Sequence, residues 1–316
     1  MLSIDIVQLH ETRFDISMFE HNIFARLTEW QAQDLKTGLA TLIGIDGSSP
    51  RPLGAQIAIT EDGRYIGNIS SGCAEEAIIA ELQTAVTENR RHVTRYGKDS
   101  PYLDVVLPCG SGLDILFTGT DVKQVTGQVS ELHAARQIAF VTPQGDNGLA
   151  VSATADSDKA IAYAPDYRLH IFGAGLQLMS FAELAHVMNY QITAHSNDEA
   201  SLTALAAMGI EARPMTHQTQ FDSAAFDAFS AVITLFHEHE METAILQAAL
   251  NSEAHYIGAL GSRKTHEQRR ILLGARAAAR PFEDIVGPVG LHIGATDPSE
   301  IALSILAQIV EKRRLS

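Results

Sequence analysis

The chain contains two cysteines, and both lie in segments rich in glycine and serine. Cys73 ends a Ser-Ser-Gly-Cys segment whose hydroxyl groups could cap the predicted helix that follows, and Cys109 lies in a Pro-Cys-Gly-Ser-Gly turn between two predicted strands. Free N–H groups at a helix N-terminus stabilise a thiolate, and Gly72 and Gly110 beside the cysteines let another group approach the backbone. Thiolates so placed suit a soft metal or a sulfur relay. The alternative is that each cysteine is a small buried hydrophobic residue.

Basic residues form two candidate anion sites in a chain whose formal net charge is −15. Arg51 lies in a segment rich in the turn-forming residues glycine, serine and proline. Ser262 and Arg263 begin a segment that runs to Arg280 and holds six basic residues and one acidic residue. This segment follows a predicted strand, so Ser262 and Arg263 are placed to bind an anion at a helix N-terminus. The alternative is a solvated helix face.

A glycine turn in the second half of the chain resembles a dinucleotide-binding turn. Gly173 and Gly175 lie between a predicted strand and a predicted helix, where a pyrophosphate would meet the helix N-terminus. The third glycine of that pattern is replaced by Leu178, and Ser196 stands where an acidic ribose ligand is expected, with Asp198 two residues later. The pattern predicts a Rossmann-type fold, and it favours a turn that no longer holds NAD(P).

The segment 237–240 reads His-Glu-His-Glu and follows a predicted strand at the carboxyl edge of the sheet. Two histidines separated by one residue can share a metal ion in a strand or loop. The favoured interpretation is a polar loop before a helix whose first turn is acidic.

Hydrophobic periodicity predicts two domains, 1–165 and 166–316, with the boundary near Pro165. The first is an α+β domain with strands at 39–45, 56–60, 64–69, 103–107, 113–117, 137–141 and 160–163 and a helix at 74–88. The second alternates strands at 169–172, 191–195, 210–215, 231–236 and 256–260 with helices at 178–188, 199–208, 242–251, from 263 onward and at 298–313. Such alternation predicts a Rossmann-like, doubly wound parallel sheet, so the fold class is α/β.

Composition excludes several classes of partner. The acidic balance argues against nucleic acid and against an anionic membrane surface. Two cysteines do not form a disulfide scaffold, and the sequence shows neither a signal-peptide pattern nor a run of about 20 apolar residues. A cytoplasmic protein is therefore expected.

Five motifs taken together resemble those of the XdhC/CoxI family, which comprises maturation factors for molybdenum hydroxylases such as xanthine dehydrogenase and aldehyde oxidoreductases. They occur in family order over nearly the whole chain: GSSPRPLGA at 47–55, GNISSGCAEE at 67–76, PCGSG at 108–112, YIGALGSR at 256–263 and GPVGLHIGA at 287–295.

The resemblance implies a chaperone rather than a turnover enzyme. It would bind molybdenum cofactor as cargo, protect it, assist its sulfuration with a cysteine desulfurase, and insert it into an apo molybdenum hydroxylase. The family's two loop cysteines match Cys73 and Cys109, which are therefore the candidate ligands of the cofactor's molybdenum. Arg51, Arg263 and the Gly173–Gly175 turn are the candidates for its phosphate. A homo-oligomer is compatible with the sequence, and the alternatives are an NAD(P)-dependent oxidoreductase and a scaffold that binds only proteins.

Overall fold

The computed structural model describes residues 22–100, 110–120, 122–144, 148–236, 239–274 and 276–315. The chain divides into two compact units between Pro165 and Asp166. Among the described residues, no helix combines the length and the apolar character that crossing a bilayer requires.

The N-terminal unit is a mixed α/β structure built around an antiparallel sheet. Its elements in chain order are α1 Ile23–Ala32, β1 Thr37–Asp46, β2 Gln56–Thr60, β3 Tyr65–Gly67, α2 Glu75–Thr87, β4 Arg91–Gly97, β5 Gly112–Thr118, α3 Val122–Ala134, β6 Ala139–Pro143, β7 Leu149–Ser152 and β8 Ile161–Tyr163. The main sheet has the order β3-β2-β1-β5-β4, and β7-β6-β8 form a small second sheet.

Alternating side chains give the main sheet two buried faces. On one face, residues such as Leu42, Ile57 and Ile115 pack against the apolar stripe of α2. On the other, Leu39 and Ala58 pack with residues of α1, α3 and the small sheet. The sheet is therefore the central layer of this unit, and its ends are left free to carry loops.

The C-terminal unit alternates strands and helices. Its elements are β9 Arg168–Gly173, α4 Gly175–Val187, β10 Gln191–Ser196, α5 Glu199–Ala207, β11 Glu211–Pro214, β12 Ser230–Leu235, α6 His239–Leu250, β13 Tyr256–Ala259, α7 Arg263–Gly274, β14 Ile285–Val286 and α8 Pro298–Leu315. The six strands are all parallel and have the order β11-β10-β9-β12-β13-β14. This is the Rossmann order, in which the topological switch point lies between the first and fourth strands of the unit.

Helices cover both faces of this parallel sheet. Residues of α4, α5 and α8 pack with Leu169 and Ile171 on one face, while residues of α6 and α7 pack with Phe172 and Val232 on the other. The predicted fold class is confirmed: the second unit is a doubly wound α/β structure and the first combines antiparallel sheets with helices.

Sequence periodicity missed several elements and placed the others within a few residues. β4 was missed because its exposed and buried positions do not alternate strictly, and α3 and β7 lie where the apolar signal is weak. The predicted strand at 103–107 lies outside the described residues.

Candidate functional site

The motif loops of the N-terminal unit leave the main sheet at one edge. Asp46, the last residue of β1, pairs with Gly112, the first residue of β5, and Gly112 also pairs with Gly97 at the end of β4. On the other side of β1, Gly67 at the end of β3 pairs with Ile57 near the start of β2. The loops 47–55, 68–74 and 110–111 therefore emerge at the same edge, although they are well separated along the chain.

This edge collects four of the predicted site residues. Arg51, Gly72, Cys73 and Gly110 are all exposed there. The alternative that Cys73 is a buried hydrophobic residue is wrong, since its side chain faces solvent. Cys109 lies outside the described residues.

The loop that carries Cys73 is organised by Glu75, the first residue of α2. The Glu75 carboxylate accepts N–H bonds from Ile69 at 3.1 Å, from Ser70 at 2.6 Å and from Gly72 at 2.6 Å. It also accepts a hydrogen bond from the Ser70 hydroxyl. Burial alone raises the pKa of the Glu75 carboxyl, but these hydrogen bonds outweigh it and hold that pKa below its ordinary value.

Of the two serines expected to cap α2, one bonds to the start of the helix. The Ser70 hydroxyl oxygen accepts the N–H of Ala74 at 2.7 Å, whereas Ser71 bonds to Asn68 and not to the helix. The loop amides that donate to the Glu75 carboxylate, those of Ile69, Ser70 and Gly72, all precede Cys73 in the chain.

An ion-pair network at the same edge was not found from the sequence. Arg95 in β4 donates from Nη1 to both Asp114 oxygens at 3.0 Å and from Nη2 to Asp46 at 3.1 Å. Its Nε donates to the Lys98 carbonyl at 2.8 Å, so one guanidinium joins β1, β4 and β5. Predicting this network requires that β4 be recognised as a strand. The Thr-Arg-Tyr run before Gly97 was the signal for that strand in the sequence.

In the C-terminal unit, the predicted glycine turn lies at the switch point of the sheet. Gly173 ends β9 beside Leu235 at the end of β12. The N–H of Gly175 donates to the Ser201 hydroxyl oxygen at 3.0 Å, and that hydroxyl donates to Asp198 at 2.5 Å. This amide, which a pyrophosphate would use in a dinucleotide site, already has a partner in the protein.

The two departures from the dinucleotide pattern have structural roles. Leu178 is fully buried between α4 and the sheet, so the position of the third glycine belongs to the hydrophobic core. Ser196 is also buried, and its hydroxyl oxygen accepts the N–H of Asp198 at 3.1 Å. Asp198 caps α5 by accepting the N–H of Ser201 at 3.0 Å.

Substitutions at the two glycines are expected to differ. A Cβ on Gly173 would lie 2.9 Å from the Leu235 Cβ and 3.0 Å from its carbonyl oxygen, so Gly173→Ala should lower the free energy of unfolding by about 1–3 kcal/mol. Gly175 has φ +66° and open space around it. Gly175→Asn should therefore cost less than about 1 kcal/mol, because asparagine adopts this conformation readily. Chemical denaturation of both variants measures the difference, and equal losses would contradict it.

Three of the six basic residues in the segment after β13 pair with acids from elsewhere in the chain. Arg269 pairs with Glu242 at 2.7 Å, and both side chains are at most 3% exposed. Arg270 pairs with Glu283, and Arg280 pairs with Asp284, each at 2.6 Å. These acidic partners lie outside the segment, on α6 and after α7, so the composition of the segment alone did not show them. Ser262, Arg263, Lys264 and Arg276 remain exposed.

The segment 237–240 follows β12, but its side chains are outside the described part of the chain. In the ranges that the structure does describe, no three His, Cys, Asp or Glu side chains converge as the ligands of a metal ion would.

Comparisons with known proteins agree with these motifs. The XdhC and CoxI family matches residues 30–97, and the XdhC Rossmann domain matches residues 169–309. The chain is 31% identical over 283 residues to the molybdenum cofactor insertion chaperone PaoD of Escherichia coli (strain K12), a match that covers 87% of this chain and 83% of PaoD. The chain belongs to the XdhC and CoxI family. The resemblance drawn from the five motifs is thus confirmed.

Other proteins are similar to this XdhC and CoxI family member over most of its length. It is 25% identical over 335 residues to a probable xanthine dehydrogenase subunit of Bacillus subtilis (strain 168), covering 93% of this chain and 97% of that protein. The crystal structure of a xanthine dehydrogenase from Bacillus halodurans superposes with a TM-score of 0.73 at 23% identity, covering 92% of this chain and 96% of that chain. The second likeness shows that the two chains share a fold.

The family matches include most of the candidate residues. Arg51, Gly72 and Cys73 lie within the XdhC and CoxI match, and the Gly173–Gly175 turn, Ser262 and Arg263 lie within the XdhC Rossmann match. Cys109 and Gly110 lie between the two matched ranges. Of the two cysteines, Cys73 lies within a matched range and is exposed.

Proposed function

We propose that this member of the XdhC and CoxI family binds molybdenum cofactor as cargo and inserts it into a molybdenum hydroxylase of the xanthine dehydrogenase or aldehyde oxidoreductase type. The observation that carries the proposal is the likeness to PaoD, a molybdenum cofactor insertion chaperone, over most of both chains. We assign no turnover reaction to the chain.

The exposed edge of the N-terminal sheet supplies the chemistry that the metal end of the cofactor requires. Molybdenum cofactor carries molybdenum on a dithiolene, and soft sulfur donors suit such a centre. Cys73 presents a thiol to solvent at the edge where Arg51, Gly72 and Gly110 are also exposed. We assign Cys73, and Cys109 with it, as the groups that contact the molybdenum.

The alternatives draw less support from the structure. An NAD(P)-dependent oxidoreductase would need the Gly175 amide for a pyrophosphate, and that amide donates to Ser201. A scaffold that binds only proteins would leave the exposed Cys73 loop and its Glu75 network without a ligand. A cysteine desulfurase, an apo hydroxylase client and a second copy of this chain are the partners that fit the proposed function.

Titration with molybdenum cofactor tests the proposal. Wild-type protein is expected to bind the cofactor saturably and to restore activity to an apo hydroxylase. Cys73→Ala and Cys109→Ala should weaken binding by about tenfold or more, the range seen when groups at a metal site are removed. Cys73→Ser keeps the shape of the side chain and replaces its sulfur with oxygen, so it serves as the control for loss of sulfur.

Two outcomes would contradict these assignments. The absence of saturable binding by the wild type would reject the cofactor chaperone and leave the protein-only scaffold. Unchanged affinity in both alanine variants, with binding by the wild type intact, would reject the cysteines as contacts while the function stands.

A further inference from the structure

Ser111 joins two of the motif segments at the exposed edge of the N-terminal sheet. Its side chain is buried, and its hydroxyl donates to the carbonyl of Ser48 in the loop 47–55 that follows β1. The carbonyl of Ser111 accepts the N–H of Lys98, just after β4, at 2.8 Å. One buried residue of the PCGSG motif therefore connects the end of β4 with Ser48 of the GSSPRPLGA motif, 63 positions earlier in the chain.

A glycine in each of these motifs makes room for the connection. Gly47 has φ +92°, and a Cβ at this position would lie 3.3 Å from the Ser111 Oγ. A Cβ on Gly112 would overlap the guanidinium of Arg95. Any larger residue at Gly47 would be strained beside Ser111, and any larger residue at Gly112 would displace Arg95. The two glycines therefore let Ser111 and Arg95 approach the backbone of this edge closely.

Arg95 fixes the strand ends from which the two segments emerge. Its guanidinium donates to Asp46 at the end of β1, to both oxygens of Asp114 in β5, and to the Lys98 carbonyl after β4, at 2.8–3.1 Å. Lys98 thus donates its N–H to Ser111 and accepts a hydrogen bond from Arg95 through its carbonyl. Ser111 and Arg95 therefore hold the same residue from its two backbone groups.

The segments that are joined in this way carry candidate contacts for the cargo. Arg51 lies in the same loop as Ser48, and Gly110 immediately precedes Ser111; both Arg51 and Gly110 are exposed. A ligand that contacts both segments must find them at one particular separation. Segments that are ordered before binding lose less conformational entropy when the ligand arrives, so the fixed separation raises affinity.

We propose that Ser111 and Arg95 are positioning residues, which hold the Arg51 loop and Gly110 at the separation that the cargo requires. This inference rests on the proposed function, in which this edge of the sheet binds molybdenum cofactor. Both residues act through the segments that they join. Ser111 is buried, and the guanidinium of Arg95 is engaged by Asp46, Asp114 and the Lys98 carbonyl, so neither needs to contact the cargo.

Two substitutions test the positioning role by titration with molybdenum cofactor. Ser111→Ala removes one hydroxyl without adding bulk, and it should weaken binding by about two- to tenfold, which is the worth of a single hydrogen bond. Arg95→Gln should weaken binding by about tenfold or more, because it removes several charge-assisted hydrogen bonds. Affinity is measured where urea denaturation shows each variant to be fully folded, so a loss of global stability alone leaves the dissociation constant unchanged.

Thr60→Val is the matched control in the same sheet. Thr60 is also buried, and its hydroxyl bonds to Asp62 and to the Arg64 carbonyl in the turn between β2 and β3, at the opposite edge. This variant should lose stability but keep the affinity of the wild type for the cofactor. Hydrogen exchange of the Lys98 amide should accelerate in Ser111→Ala and in Arg95→Gln, and it should stay unchanged in Thr60→Val.

The double variant Ser111→Ala/Arg95→Gln tests whether the two residues act together. Because both hold Lys98, the double variant should weaken binding by less than the product of the two single losses. A loss equal to that product would overturn the shared role. If Arg95→Gln does not fold, Ser111→Ala and Thr60→Val still decide. Equal losses of affinity in Ser111→Ala and Thr60→Val would overturn the inference.

The titrations also separate this inference from the proposed function. If the wild type binds the cofactor and folded Ser111→Ala binds it equally well, the positioning role is wrong and the chaperone function stands. If the wild type does not bind the cofactor, the proposed function is wrong and the positioning role is rejected with it.

Discussion

Glu242→Ala is expected to lower the free energy of unfolding by about 3–5 kcal/mol, because it leaves the buried Arg269 guanidinium without its counter-charge. Glu242 and Arg269 are at most 3% exposed, and they are joined by two hydrogen bonds of 2.7 and 2.9 Å. Glu242 also accepts a bond from the Thr234 hydroxyl at 2.6 Å, so the substitution removes the link between α6, α7 and the end of β12. Urea denaturation at neutral pH measures the loss.

The neighbouring pair, between Arg270 on α7 and Glu283 after it, provides the matched control. Arg270 and Glu283 have the same chemistry at 2.6 Å, but their side chains are 46% and 61% exposed. Glu283→Ala should therefore cost at most about 1 kcal/mol. The paired substitution Glu242→Leu/Arg269→Met should recover much of the stability lost in Glu242→Ala, since both buried charges are then removed together. Similar losses in Glu242→Ala and Glu283→Ala would show that burial does not set the strength of this pair.

Glu75→Ala should loosen the loop that presents Cys73 and weaken binding of molybdenum cofactor by about tenfold, because it leaves three backbone N–H groups and a hydroxyl without their acceptor. Ser71 in this loop has φ +56°, a conformation that non-glycine residues keep only where the surroundings enforce it. Hydrogen exchange of the Ser70 and Gly72 amides should accelerate in the variant. Glu76→Ala, at the exposed position next to it, is the control and should leave both measurements unchanged.

The same carboxylate predicts a dependence of stability on pH. The folded state holds the pKa of Glu75 below its ordinary value of 4.5, so its contribution is complete above that value and is lost as the pH falls through the lower folded pKa. Glu75→Gln should therefore be less stable than the wild type at neutral pH, and the difference should shrink in acid. A difference that is constant with pH would mean that the charge of Glu75 does not contribute.

The sequence predicted the layers of the fold better than the contacts of the site. Apolar runs and glycine turns were enough for five of the six strands of the parallel sheet and for most of the antiparallel one, because burial imposes a period on the sequence. The two-residue strand β14 is too short to show such a period. The functions of Glu75, Arg95 and Glu242 were not predicted. Their partners lie up to 49 positions away, as for Arg95 and Asp46, and single-sequence patterns contain no information on which distant charges meet.

The motif residues themselves were found, but not the way in which their backbone groups are used. Gly72 and Gly175 were found as backbone positions that a larger residue would obstruct, and both have a positive φ. That Glu75 and Ser201 accept hydrogen bonds from them depends on side-chain geometry that local spacing does not specify. The exposure of Cys73 likewise depends on where the loop leaves the sheet.

A carrier must release its cargo, and the hydrogen bonds that the Gly72 and Gly175 amides donate to Glu75 and Ser201 affect that step. A loop whose amides bonded to the cargo alone would lose those hydrogen bonds whenever the cargo departed, and this penalty would oppose transfer to the client. Because Glu75 and Ser201 accept hydrogen bonds from these amides within the chain itself, no such penalty arises on unloading. The empty chain is thus a low-energy product of delivery, and transfer can be driven by a modest difference in affinity between carrier and client.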